Sequence, residues 1–131
     1  MRRDMDLVRA LLLNLEALPM KSAQSLVLLN PADPTLAVQG FSPTEIEYHL
    51  VLLLERDLIE TGNQRLIGGS IPFRRLTWAG HDFLDSVRDD EIWRKTKAGA
   101  EQAGGWTFDL MKDLAKGFIK TQIKKYTEVE L

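Results

Sequence analysis

The side chains in this sequence best suited to hold a metal or move a proton are two histidines and an acidic trio. His49 and His81 are the only histidines, and they stand far apart, with no His-x3-His pair. A zinc site would need both of them to converge with carboxylates in space. The simpler role for each is a structural hydrogen bond or a surface position. Asp82, Asp85 and Asp89 recur on one face of a helix. A hard cation needs converging oxygens, often from loops. Acids gathered near a helix start already have a purpose, since they complement the positive end of the helix dipole.

Other chemistry is excluded by residue type. There is no cysteine, which removes disulfides, thiolate zinc ligands and thiol nucleophiles together. Gly68-Gly69-Ser70 lacks the flanking spacing of a nucleophile elbow and the lysine of a phosphate-binding loop. No serine, histidine and acid fall in a suggestive order. The expectation is a chain that is not an enzyme, with no catalytic residue, no metal site and no cofactor.

Binding chemistry is better represented. Residues 42–60 carry Glu45, Glu47, Glu55, Asp57 and Glu60 against Arg56 alone. Residues 61–81 carry Arg65, Arg74 and Arg75 and no acid. Residues 82–91 turn acidic again, and 92–131 are basic in balance. The net charge of −2 hides this banding, and the bands bear on partners. Arg65, Arg74 and Arg75 could contact the phosphates of duplex DNA. Lys112, Lys116, Lys120 and Lys124 stand at i+4 spacing and could do the same. They also lie opposite an apolar helical arc, so a solvated face is the plainer reading.

These residues need elements to position them. Leu7, Val8, Leu11, Leu12, Leu15 and Leu18 share one face of a helix over 4–18, which Pro19 ends. Ser42-Pro43-Thr44-Glu45 predicts a capped helix start. That helix runs over 43–57, with Ile46, Leu50, Leu53 and Leu54 buried. Leu58-Ile59-Glu60-Thr61 and Phe73-Arg74-Arg75-Leu76 read as strands around a glycine-bearing loop, that is, a wing. Thr77 should cap a helix that buries Phe83, Leu84 and Val87. Asp89 or Asp90 should cap a further helix to about Gln102, and Thr107 a last one to about Lys125. Residues 20–38 are ambiguous between helix and strand; Ser25–Leu29 and Thr35–Val38, separated by Pro31, Asp33 and Pro34, fit a hairpin.

The fold expected is α+β and helix-rich, with a winged-helix-like core and additional C-terminal helices. Its 131 residues suit one domain over 1–126, with the core at 1–88, a helical extension at 89–126 and a frayed tail at 127–131. The middle helix of a three-helix core has no convincing counterpart. The longest apolar run, Leu50–Leu54, is far short of the roughly 18 residues of a membrane span. Arg2 and Arg3 are followed by Asp4, Asp6 and Glu16, which is no secretory signal. A cytoplasmic protein with no membrane partner is expected.

Several blocks also match a known family. They are Met1-Arg2-Arg3-Asp4-Met5-Asp6-Leu7, Gly40-Phe41-Ser42 with Glu45-Ile46-Glu47-Tyr48-His49-Leu50, and Arg75-Leu76-Thr77-Trp78-Ala79-Gly80-His81-Asp82-Phe83-Leu84-Asp85. Arg88-Asp89-Asp90 with Trp93 completes them. The sequence resembles the bacterial and phage domain-of-unknown-function family 2513 over most of its length. That resemblance implies a bacterial or phage origin and a small stand-alone protein, and it brings no established activity. A looser similarity to winged-helix repressors rests on Leu76-Thr77-Trp78-Ala79-Gly80, where a wing runs into a helix start. It is an analogy of fold.

Two functions follow as expectations. The first is a DNA-binding transcription regulator, with Arg65, Arg74 and Arg75 on phosphates and a homodimer through the terminal helices. The alternative is an adaptor that binds another protein through Glu45, Tyr48, Leu52 and Glu55 on the 43–57 helix. That face has no Arg, Lys, Asn or Gln at its centre, and base reading in the major groove relies on those types.

Overall fold

The structure is a computed structural model that describes residues 1–64, 68, 70–105 and 107–130. Among the described residues, five helices and four short strands follow in the order α1 (Met5–Glu16), β1 (Val27–Leu29), α2 (Pro43–Glu55), β2 (Ile59–Glu60), β3 (Ile71–Phe73), β4 (Arg75–Leu76), α3 (Trp78–Val87), α4 (Asp90–Gln102) and α5 (Phe108–Thr127), with a 3-10 turn at Pro34–Leu36 before α2. This is the helix-rich α+β fold expected. The chain divides into two compact units, Met1–His81 and Asp82–Leu131. Among the described residues, no helix is long and apolar enough to cross a membrane.

The first unit is built on two helical stripes. Leu7, Val8, Leu11, Leu12 and Leu15 of α1 are buried, as are Ile46, Leu50 and Leu53 of α2. Each fully buried leucine contributes roughly 1.5–3 kcal/mol. Asp4 caps α1, its Oδ1 accepting from the amides of Asp6 and Leu7. Ser42 and Glu45 form both halves of the capping box on α2: the Glu45 amide donates to Ser42 Oγ at 3.2 Å and the Ser42 amide donates to Glu45 Oε1 at 3.0 Å. Helix α2 stops at Glu55, short of the expected 57, because Asp57 turns into the left-handed region with φ 57°.

The wing strands pair as the sequence suggested. Ile59 faces Leu76 and Glu60 faces Arg75, antiparallel. The returning strand starts earlier than expected, at Ile71, and is interrupted at Arg74. The Arg74 amide donates to the Glu60 carbonyl, next to the ladder rather than within it. The hairpin expected between 25–29 and 35–38 does not form. Strand β1 pairs instead with β3, Val27 facing Phe73 and Leu29 facing Ile71. Asp33 explains why: its Oδ1 accepts from both the amide and the hydroxyl of Thr35. With Pro34 at the first position, this cap winds 34–36 into a 3-10 turn, and no ladder is left there to offer. The first unit thus runs helix, strand, short turn, helix, strand, strand, strand and the start of α3, with its strands in two separate two-stranded ladders.

In the second unit α4 and α5 pack as a helical pair. Asp89 caps α4 through the Ile92 amide, and Thr107 caps α5 through the Leu110 amide. Ile92, Trp93, Ala100, Met111 and Ala115 are buried, and Gly99 lies against Leu114. Phe83 stacks on Phe108 with ring centroids 4.5 Å apart.

Candidate functional site

The outward face of α2 follows from its stripe. With Ile46, Leu50 and Leu53 inward, Tyr48 and Glu55 fall on the far side of the helix. Both are exposed, Tyr48 at 39%. Thr44 and Glu47 are exposed as well. Glu45 and Leu52, expected on this face, are half-buried, and the Glu45 carboxylate is occupied by the capping box. The face is therefore an aromatic ring edged by Glu47 and Glu55. Its Tyr48 ring meets the His49 ring edge-on at 5.6 Å.

His49 itself is buried, 1% exposed. Its Nδ1 lies 2.8 Å from the Glu45 carbonyl, which can only accept, so Nδ1 carries the proton. Nε2 then accepts from the Asp4 amide at 2.8 Å. The neutral ring ties α2 to the N-cap of α1, and both its nitrogens are committed to structure.

The described wing arginines converge on one acid. Glu60 Oε1 lies 3.4 Å from Arg75 Nη2 and 3.9 Å from Arg74 Nη1. Arg75 also donates through Nη1 to the Ala23 carbonyl at 2.9 Å. Arg65, the third cation assigned to DNA, lies outside the described residues. Glu60 belongs to the acidic band and Arg75 to the basic one, and strand register sets them opposite each other. The two bands cancel where the sequence read them as separate.

The junction from wing to α3 explains Leu76-Thr77-Trp78-Ala79-Gly80. The Thr77 amide donates to the Leu58 carbonyl at 3.0 Å, and its hydroxyl donates to the Asp57 carbonyl. The same hydroxyl accepts from the Gly80 amide at 3.0 Å, as an N-cap does. A Cβ on Gly80 would lie 2.0 Å from the Leu58 oxygen. The motif thus latches the start of α3 to the start of β2, and glycine is required by close approach of backbone. Trp78 points away and is 85% exposed. It was not singled out from the sequence, although helical spacing could have found it: five residues before Phe83 is about 140° around the helix from that buried ring.

The remaining candidates are committed locally. Asp89 is the cap of α4, and Asp85 pairs with Arg88 at 2.9 Å. Among the described residues no three acids or histidines are grouped to hold a metal ion. His81 is exposed, 3.9 Å from Glu16. On α5, Lys116, Lys120 and Lys124 are exposed and Lys112 half-buried; Lys124 reaches Glu130 at 3.4 Å.

Comparison with known proteins gives a family and no activity. The family described as "Hypothetical protein (DUF2513)" matches residues 2–106. An uncharacterized protein of Haemophilus influenzae is 32% identical over 126 residues, covering 95% of this chain and 98% of that protein. No solved structure matches the chain.

Proposed function

The chain belongs to the DUF2513 family of hypothetical proteins, and from that premise we propose a non-catalytic domain that binds another protein through the outward face of α2. The observation that carries this reading is the exposure of Tyr48 on a helix face whose charges, Glu47 and Glu55, are carboxylates. A tyrosine anchor with a polar rim is the composition of a small protein-contact surface. The carboxylates select a partner with basic residues around an apolar contact, and they repel a phosphate backbone.

Affinity capture followed by reconstitution with the purified partner tests it. Tyr48→Ala should weaken the complex by at least about tenfold, as loss of an anchor does, with an unchanged melting temperature. Equal binding by the variant would sink the proposal.

Duplex DNA binding is the second reading, favoured by the helix-then-ribbon order of α2, β2 and β4. Here the protein should bind duplex at low salt. Replacing Arg65, Arg74 and Arg75 by alanine should weaken binding and flatten its salt slope. A protein that leaves duplex free at low salt has no such function.

A further inference from the structure

Strand β1 leaves one edge of its ladder open. Its partner β3 is buried at all three positions, whereas Val27 and Leu28 of β1 are exposed, Leu28 at 60%. Leu26, just before the strand, is exposed as well. Residues 22–32 contain no charged side chain. Unpaired backbone groups at an edge recruit another strand, and edge strands are commonly guarded by a lysine or a proline. Neither stands within β1.

The direction of the unpaired backbone groups follows from Pro72. Leu28 faces Pro72 in the antiparallel ladder. Proline has no amide hydrogen, so this pair cannot be the kind that exchanges two hydrogen bonds. The exchanging pairs are its neighbours, Val27 with Phe73 and Leu29 with Ile71. Backbone groups alternate in direction along a strand, so the Leu28 N–H and C=O point away from β3, toward the open edge. The strand is fixed in that attitude. Leu29 is buried, and Arg75 Nη1 donates to the Ala23 carbonyl at 2.9 Å just upstream. An edge held ready loses little freedom on pairing.

Three features of this edge select a second copy of the same chain. The first is hydrogen bonding: Leu28 offers a donor and an acceptor together, so two copies related by a two-fold axis exchange both bonds. The second is apolar contact. Antiparallel pairing about that axis sets the two exposed Leu28 side chains opposite each other, with the exposed Leu26 two residues away. The third is charge. Lys21 precedes the neutral stretch and Asp33 follows it, and both are exposed. Antiparallel pairing carries the start of each segment toward the end of the other, so unlike charges approach; parallel pairing would bring like charges together. We propose that two copies of this chain associate through β1, joining their ladders into a four-stranded sheet in the order β3-β1-β1-β3 about a two-fold axis at Leu28. This inference stands apart from the α2 surface, since it uses neither Tyr48 nor its neighbours.

The test uses the full chain. Three residues per copy make a short ladder, so the dimer is reversible and its fraction rises with concentration. Sedimentation equilibrium should follow that rise from monomer to dimer. Leu28→Lys sets like charges opposite each other and should raise the dissociation constant at least about tenfold, with the helical circular dichroism spectrum unchanged. The lack of native cysteine allows a second readout. Opposite Cα atoms in an exchanging pair lie about 5.5 Å apart, within disulfide reach. In oxidised glutathione, Leu28→Cys should form a disulfide-linked dimer, and Lys120→Cys on the exposed side of α5 should not. A native chain that stays monomeric at millimolar concentration overturns the proposal. So does a dimer that Leu28→Lys leaves intact, or one that Lys120→Cys links and Leu28→Cys does not. Should Leu28→Lys fail to fold, the two cysteine variants decide alone.

Discussion

In the first unit polar side chains bridge distant parts of the sequence, whereas in the second many bond within a turn of themselves. His49 reaches Asp4, Thr77 reaches Asp57 and Arg75 reaches Ala23. In the second unit the hydroxyls of Ser86, Thr96, Thr121 and Thr127 each donate to the carbonyl four residues earlier. Long bridges make the helix-and-ribbon unit dependent on assembly as a whole. The helical pair rests more on its caps and its apolar seam. A single change at a bridge should therefore cost more than a single change at a cap, in proportion to what it leaves unsatisfied.

The sharpest way to break that contrast is Gly80→Ala. The added methyl meets the Leu58 carbonyl, a backbone atom that cannot swing aside. A loss of about 3 kcal/mol is expected, the top of the overpacking range, read from the denaturant midpoint. A near-neutral result would mean the latch between α3 and β2 is loose. Next comes His49→Leu, which keeps the buried volume and removes the acceptor for the Asp4 amide. It should cost about 2 kcal/mol, the penalty for a stranded donor.

Caps set the scale for local effects. Ser42→Ala in the first unit and Thr107→Ala in the second should each cost about 1 kcal/mol. Equality of the two would show that caps are indifferent to their surroundings while bridges are not. Tyr48→Ala should change stability by no more than about 0.5 kcal/mol, as exposed substitutions do; a larger loss would make Tyr48 part of the packing. Smallest is Asp33. Its hydrogen bonds from the Thr35 amide, then the Thr35 hydroxyl, hold its carboxyl below the ordinary aspartate range. The folded value is depressed, so its contribution is present above the unfolded value and fades as pH falls through the folded one. Urea titrations of Asp33→Asn and the native protein should differ slightly at neutral pH and converge in acid. A gap that widens in acid would contradict this assignment.

Periodicity made α1, α2, α4 and α5 legible to within a residue or two, because each has an apolar stripe and a cap in its own sequence. The wing was legible for a similar reason. Strand β1 was legible as one arm of a hairpin at 25–29, but its partner was not, because β3 lies more than forty residues away and contains Pro72. The charge bands misled in a different way. Glu60 and Arg75 look like members of opposite patches until the register places them face to face. The α2 face was partly legible: Tyr48 and Glu55 are outward, but Glu45 is drawn into its cap. Trp78 could have been read from helical spacing. The open edge of β1 could not, since the direction of its backbone groups is set by Pro72 in its distant partner.

What the sequence determined alone is therefore local: which segments are helices, where they are capped, and the absence of cysteine chemistry. These depend on neighbours within four residues, and the chain carries that information in order. Tertiary structure decided which charges cancel, which histidine nitrogen keeps its proton, and which strand edge stays open. Each depends on groups that only the fold brings together, as strand register does for Glu60 and Arg75 and helix packing for His49 and Asp4.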